Sequence, residues 1–187
     1  MSRNFMVDCE ANGQCPGFHN MTMFSAVCVE DPEHYWFFSN LLKPIIVGEK
    51  RGWRNHNYEY LMENGLNPVG VMEDFSKWLY KVTEGKRPFF WSDNNGWDYQ
   101  WINYYFHFAG IENPFGHTSS NLGSFYKGLV RNLHKNFKHL RKTKHTHHPT
   151  DDAIGNIEAL RTLIEREGVY GIQLLYPESY GEKKDGK

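Results

Sequence analysis

The sequence lacks long apolar runs, paired cysteines and a leader-like start. No stretch of about 18 apolar residues occurs, so we expect no membrane span. The first residues lack a basic region followed by an apolar run, so we expect no signal peptide. The three cysteines, Cys9, Cys15 and Cys28, form no C-x-x-C pair, which argues against a disulfide framework and for a reducing, cytoplasmic location. Cys15 and nearby His19 also lack the paired spacing of a zinc site.

Acidic residues are absent from Asn113 to Thr150. The lysine and arginine residues of this basic segment are Lys127, Arg131, Lys135, Lys138, Arg141, Lys142 and Lys144. The whole chain has a formal charge of −1, so the seven positive charges here leave −8 on the remainder. Such a segment favours contact with a phosphate backbone, with a solvated helix face as the alternative interpretation.

The length of 187 residues suits one domain with a sizeable core, and we find no internal repeat. We predict a single domain over residues 1–180 and a frayed tail over 181–187. Aromatic residues make up 16% of the chain. Some of these rings fill the core, and a nucleic-acid-binding protein could use others to stack on bases.

Hydrophobic periodicity and turn signals predict an α/β sandwich around a mixed sheet. We expect strands at Asn4–Cys9, Met21–Val29, Tyr35–Ser39 and Pro88–Trp91, with short loops that favour antiparallel pairing of the first three. We expect helices at Pro68–Thr83, Asp98–Gly110, Ser120–Leu140 and Asp151–Gly168, with a shorter one near Tyr58–Met62. A last strand is expected at Tyr170–Tyr176.

Two acidic residues end the first predicted strand, which reads Phe5-Met6-Val7-Asp8-Cys9-Glu10. Side chains alternate along a strand, so Asp8 and Glu10 face the same way. Like charges about 4 Å apart repel by roughly 4 kcal/mol at an effective dielectric near 20. Several such carboxylates would converge only around divalent cations, which suggests a metal-dependent phosphoryl-transfer site.

A third acidic position follows the short buried strand, in the segment Trp91-Ser92-Asp93-Asn94-Asn95-Gly96-Trp97-Asp98-Tyr99. Asp98 begins a predicted helix and could simply cap it. Asp93 is the competing acidic residue, because it lies directly after the strand. The local sequence alone leaves both residues open.

The last motif reads His147-His148-Pro149-Thr150-Asp151-Asp152-Ala153. Asp151 and Asp152 both lie in the first turn of a helix, where one could be a cap and the other a metal ligand. A histidine in the preceding loop has an unperturbed pKa near 6.5 and could take a proton from water. His145, His147 and His148 are all candidates for this role. The run from His145 to His148 could instead bind a transition metal by itself.

The order D-x-E, then W-D, then H-x-x-x-x-D-A resembles the DEDDh family of 3′–5′ exonucleases over residues 5 to about 165. The W-S-D-N-N-G-W-D segment looks most similar to the compact exoribonuclease branch that includes RNase AS. The resemblance implies an RNase H-like fold. It also implies two Mg²⁺ or Mn²⁺ ions held by Asp8, Glu10, Asp98 and Asp152, with His147 as general base. Pro149 and Thr150 replace the small-plus-aliphatic pair that is usual in the family.

The family resemblance implies release of nucleoside 5′-monophosphates from the 3′ end of single-stranded RNA or DNA, with RNA favoured. It places Ala11 and Asn12 beside the terminal sugar. We expect Phe18 or Trp97 to stack on bases, with Trp53 and Tyr99 as alternatives, and Arg131 and Lys135 to contact phosphates. Relatives commonly form homodimers, for which Leu41–Asn67 or Tyr170–Tyr180 could supply an interface.

Other functions stay open at the level of the sequence. An exodeoxyribonuclease would use the same site. A phosphodiesterase for dinucleotides would use the same metals, although a dinucleotide needs fewer basic contacts than this segment offers. A non-catalytic nucleic-acid-binding module would use the acidic residues only as caps and surface charges.

Overall fold

A five-stranded mixed sheet lies at the centre of a computed structural model that describes residues 3–46 and 48–167. Its strands are β1 (Asn4–Ala11), β2 (Met21–Cys28), β3 (Trp36–Phe38), β4 (Phe89–Ser92) and β5 (Ser120–Asn121). They are ordered β3-β2-β1-β4-β5, with β1–β2 and β2–β3 antiparallel and β1–β4 and β4–β5 parallel. This confirms the predicted α/β class with a mixed central sheet.

The helices are α1 (Tyr58–Asn64), α2 (Pro68–Val82), α3 (Asn95–Phe108), α4 (Leu122–Leu129) and α5 (Pro149–Glu167). The start of α2 follows its local sequence, because the Asn67 side chain accepts a hydrogen bond from the Val69 amide and Pro68 occupies the first turn. Among the described residues, no helix is long and apolar enough to cross a membrane. The predicted strand at Tyr170–Tyr176 and the tail at 181–187 lie outside them.

Alternation along β1 divides the interior into two cores. Phe5 and Val7 pack with α2 and α3 on one face of the sheet. Met6 packs with α4 and α5 on the other face. Asp8 and Glu10 lie on the same face of the sheet as Met6, because side chains two residues apart on a strand point to the same face. The D-x-E motif therefore points toward the beginning of α5.

The predicted helix at Ser120–Leu140 is wrong. Its first two residues form β5, α4 ends at Leu129, and only Lys138–Leu140 returns to a helical form, as a 3-10 turn. Arg131 adopts the left-handed conformation just after α4, with a φ of +51°, and the Asn132 and Asn136 side chains accept hydrogen bonds from the backbone two residues on, as in turns. The basic residues after Leu129 therefore line irregular turns instead of a continuous helix face.

Candidate active site

Three carboxylates converge where β1 meets the beginning of α5. Oxygen atoms of Asp8, Glu10 and Asp152 all lie within 4.8 Å of one another. Asp8 and Glu10 lie two residues apart on one face of β1, and Asp152 lies in the first turn of α5. The Thr150 hydroxyl donates to Ser25 Oγ on β2 at 3.0 Å and holds this helix end over the sheet. All three acidic side chains are buried.

Asp98, the remaining acidic residue of the motifs, approaches β1 from α3 and is not one of these three grouped carboxylates. It lies in the first turn of α3 and is only 1% exposed. The Cys9 amide donates to Asp98 Oδ1 at 2.9 Å, which ties the carboxylate to the strand between Asp8 and Glu10. Asp98 Oδ2 is buried and has no hydrogen-bond partner among the described residues. Helix capping does not explain such an atom, and a bound cation would satisfy it.

Asp152 is held by a dense set of donors. Its Oδ1 accepts from the Arg141 guanidinium at 3.0 Å and from the Thr146 amide at 3.1 Å. Its Oδ2 accepts from the His147 amide at 3.0 Å and lies 2.8 Å from His145 Nδ1. Neighbouring Asp151 instead accepts from the Thr146 hydroxyl at the surface. The two aspartates therefore have different roles, and Asp152 is the one that faces the acidic cluster.

The three histidines of the loop before α5 have different partners. His147 Nδ1 lies 3.5 Å from Glu10 Oε1, and the side chain is 60% exposed. His145 is engaged by Asp152, and the His148 ring packs against Phe38 with ring centroids 4.8 Å apart. Of the three, His147 combines proximity to the D-x-E motif with access to solvent. This geometry suits a general base.

The backbone of His147 has an unusual conformation. Its φ is +57°, in the left-handed region that residues other than glycine seldom adopt. Two contacts hold it there: the His147 amide donates to Asp152, and the His147 carbonyl accepts from the Arg54 guanidinium at 2.8 Å. Arg54 also donates to the Thr146 carbonyl at 3.3 Å. Arg54, in the irregular segment before α1, thus holds the backbone of the histidine loop.

Burial and repulsion between neighbouring carboxylates raise the pKa values of Asp8, Glu10 and Asp98. The pKa of Asp8 is raised by burial and then by Asp98, Asp93, Asp152 and Glu10. Burial raises the pKa of Asp98, and Asp93 adds to the effect. The pKa of Glu10 rises to about 7, chiefly through burial, although nearby Arg54 opposes the change. Clustered carboxylates with an unpaired oxygen fit hard divalent cations such as Mg²⁺ and Mn²⁺.

The metal-free protein should gain stability as the pH falls from 8 to 6. The folded-state pKa of Glu10 lies near 7, above the unfolded value, so the folded protein takes up protons in this range. We expect the melting temperature in EDTA to rise by a few degrees, since about 1 kcal/mol shifts it by roughly 2–4 °C at this size. Differential scanning calorimetry of wild type and Glu10→Gln measures this. A melting temperature that changes equally with pH in both proteins would contradict the assignment.

Several of the residues expected to contact the terminal sugar or the bases instead pack in the core or form hydrogen bonds within the protein. Ala11 is 6% exposed and packs in the first core, so only its backbone is available to a substrate. Asn12 donates to the Arg51 carbonyl and accepts from the Asn20 amide. Trp97 donates to the Cys9 carbonyl and is partly buried against the same core. Tyr99 donates to the Gly116 carbonyl, which makes it a structural residue.

Exposed positions remain for substrate contact. Phe18 is 73% exposed in the loop after the D-x-E motif, as a stacking residue would need to be. Trp53 is only partly exposed: its ring centroid lies 5.3 Å from the Arg54 guanidinium, and it lines one pocket together with Arg54 and His148. Arg131 and Lys135 are exposed in the turns after α4, and neither pairs with a carboxylate of the described residues. They are not brought to the acidic cluster by any contact that the structure describes.

The two alternative metal sites differ in their support. In the described residues, Cys15 and His19 belong to no group of metal-ligating side chains. The His19 ring instead contacts Arg51 and Glu49. His145 and His147 do group with Asp152, with ligand atoms within 4.8 Å. That group shares Asp152 with the carboxylate cluster, so it belongs to the same site.

The site thus groups buried carboxylates that could hold a divalent cation, with a histidine beside them. No family model matches the sequence. The chain is 33% identical over 127 residues to the 3′–5′ DNA exonuclease Cap18 of Escherichia coli, covering 66% of this chain and 67% of that protein. The chain belongs to the DEDDh family of 3′–5′ exonucleases.

Solved structures give the same fold. The nuclease domain of 3′hExo, a DEDDh family member bound to rAMP, superposes with a TM-score of 0.65 at 14% identity, covering 89% of this chain and 93% of that one. Escherichia coli exonuclease I in complex with a DNA oligonucleotide, 5cy-dT13, gives 0.65 at 14% identity, covering 93% of this chain and 43% of that one. The RNase H-like fold is confirmed, and the finer resemblance to the RNase AS branch stays a prediction.

Arg54 and Arg141 were not predicted as site residues. Both act on the histidine loop or on Asp152 from distant or irregular parts of the chain, and neither belongs to the three motifs. Arg54 carries no sequence signal that would single it out. For Arg141 a signal exists in Gly155, because a glycine inside a helix usually has a packing reason. That glycine lies three residues after Asp152 in α5.

Proposed function

We propose that this protein is a divalent-metal-dependent 3′–5′ exonuclease that removes nucleoside 5′-monophosphates from single-stranded nucleic acid. The observation that carries the proposal is the convergence of Asp8, Glu10 and Asp152 within 4.8 Å, with buried Asp98 tied to the same strand. We assign two Mg²⁺ or Mn²⁺ ions to these four carboxylates. When bound, such ions lower the pKa of a water molecule and neutralise charge on the scissile phosphate.

Side chains of the protein are assigned to proton transfer, base stacking and phosphate contacts. His147 takes a proton from the attacking water, because it is the exposed histidine beside Glu10. The water oxygen bonds to the phosphorus while the bond to the 3′-oxygen of the penultimate nucleotide breaks, which leaves that nucleotide as the new 3′ end. Phe18 is assigned to base stacking, and Arg131 and Lys135 to phosphates farther along the strand.

We favour DNA as the first substrate to test, because the relative at 33% identity is named a DNA exonuclease. The preference for RNA that we expected from the sequence stays a prediction, and the same site would serve either polymer. A homodimer and a reducing, cytoplasmic location also stay predictions. The described cysteines are all free, as the latter would require.

Product analysis separates the proposed function from its alternatives. Linear and circular single-stranded DNA, a linear RNA of the same sequence, and a dinucleotide are incubated with Mg²⁺, and the products are resolved by chromatography. We expect 5′-monophosphates from the linear polymers and none from the circle. Faster cleavage of the dinucleotide than of the polymers would replace the proposal with a small-molecule phosphodiesterase. Cleavage of the circle would show an endonuclease.

A further inference from the structure

Arg141 lies buried beneath Asp152. Its side chain is only 5% exposed. Arg141 Nη2 donates to Asp152 Oδ1 at 3.0 Å and to the backbone carbonyl of Asp152 at 3.1 Å. The backbone of Arg141 is fixed in turn, because it follows the 3-10 turn whose Leu140 packs in the second core. A cation so fully removed from water is unusual without a specific partner.

The guanidinium of Arg141 occupies the space beside α5 that a side chain at Gly155 would fill. A Cβ atom on Gly155 would lie 2.5 Å from Arg141 Nε and 2.8 Å from Nη2, well inside contact distance. Glycine is among the least favourable residues inside a helix, so its position here has a steric reason. Asp152 and Gly155 lie three residues apart, hence on one face of α5. The helix therefore presents a carboxylate and a gap for its cation side by side.

The contacts of Asp152 link this cation to the histidine loop. Arg141 and the Thr146 amide share Oδ1, and the His147 amide binds Oδ2. A rotation of the carboxylate would break all of these contacts together. The guanidinium is planar and its donors have fixed directions, so it can fix the orientation of the Asp152 carboxylate, which a lysine ammonium with freely rotating donors does not. The hydrogen bonds of this guanidinium among the described residues all go to Asp152, through Nη2, while its buried Nε has no partner there.

We propose that Arg141 is a positioning residue that holds the Asp152 carboxylate, and through it the backbone of His147, in the geometry needed to bind a divalent cation. Gly155 is the residue that makes this placement possible. The inference rests on the proposed function, because Asp152 as metal ligand and His147 as base belong to it. It assigns a role to two residues that lie outside the acidic and histidine motifs.

The test uses four variants of the full chain and two measurements. Gly155→Ala displaces the guanidinium without removing it, and Gly128→Ala is the matched control, since a Cβ there meets nothing within 4 Å. Arg141→Gln removes the charge, and Arg141→Lys keeps the charge but loses the planar guanidinium. Mn²⁺ binding is measured by titration calorimetry in the absence of substrate, and melting temperature in EDTA reports folding.

We expect the Mn²⁺ dissociation constant to rise about tenfold in Gly155→Ala and at least as much in Arg141→Gln and Arg141→Lys, as for other residues that orient metal ligands. Gly128→Ala should stay within about twofold of wild type. Unchanged Mn²⁺ affinity in Gly155→Ala or Arg141→Gln would overturn the proposal, as would full rescue by lysine. If Gly155→Ala fails to fold, the two Arg141 variants still decide. Wild type that binds no Mn²⁺ would overturn the proposed function itself, and the inference with it.

Discussion

Replacement of Asp98 by asparagine is expected to lower the exonuclease rate at saturating Mg²⁺ by about a thousandfold, or about 4 kcal/mol of transition-state stabilisation. The substitution keeps the size of the side chain and the oxygen that accepts from the Cys9 amide. It removes the negative charge of a side chain that is 1% exposed and has an unpaired oxygen. The loss should therefore reflect metal binding and not misfolding.

The same variant should be more stable than wild type in EDTA. Burial and Asp93 raise the pKa of Asp98, so its ionised form destabilises the metal-free fold at neutral pH. We expect a higher melting temperature for Asp98→Asn without metal and a smaller gain on adding Mg²⁺. A lower melting temperature in EDTA would show that the carboxylate is structural.

Asp93→Asn is the matched control, because Asp93 is the competing acidic residue after β4. It is only partly buried, and it influences both Asp8 and Asp98 through its charge. We expect its activity to stay within a few-fold of wild type. A loss in Asp93→Asn as large as that in Asp98→Asn would place Asp93 among the metal ligands.

Replacement of His147 by alanine is expected to reduce kcat by about 10²–10⁴-fold, the usual contribution of a general base. The melting temperature should change little, because the side chain is 60% exposed and the contacts that hold the loop come from its backbone. Initial rates on a single-stranded oligonucleotide at saturating Mg²⁺ measure the effect, and a His147→Ala variant as active as wild type would contradict the assignment.

His148→Ala provides a control in the same loop. The His148 ring packs on Phe38 and does not face the carboxylates. We expect this variant to keep most of the activity. A His148→Ala variant that loses activity, beside a His147→Ala variant that keeps it, would reverse the assignment of the base.

The sequence predicts those parts of the site that depend on local patterns. Strand alternation places Asp8 and Glu10 on one face, and the helix start places Asp152 in a first turn, and the structure brings these three together. Each of these features depends on residues that are close in the chain. The family order of motifs supplies Asp98 and His147, which local patterns leave ambiguous.

The features that the sequence does not predict depend on distant contacts or on side-chain competition with the backbone. Arg54 reaches the histidine loop across 93 positions, and no periodicity signals such a contact. The leucine spacing after Ser120 suggests a long helix, but α4 ends at Leu129, and the Asn132 and Asn136 side chains accept hydrogen bonds from the backbone in the turns that follow. As a result Leu133, which a continuous helix would place on the same side as Leu129, is 77% exposed.

The most direct test of the central claim uses a 5′-end-labelled single-stranded DNA with Mg²⁺ or EDTA, beside Asp98→Asn. We predict a ladder that shortens from the 3′ end with wild type and Mg²⁺, and intact substrate with EDTA or with the variant. Intact DNA and intact RNA in the wild-type Mg²⁺ lanes, from protein shown by calorimetry to be folded, would contradict the account. The acidic cluster would then not be a working nuclease site, and a non-catalytic nucleic-acid-binding module would be the better description.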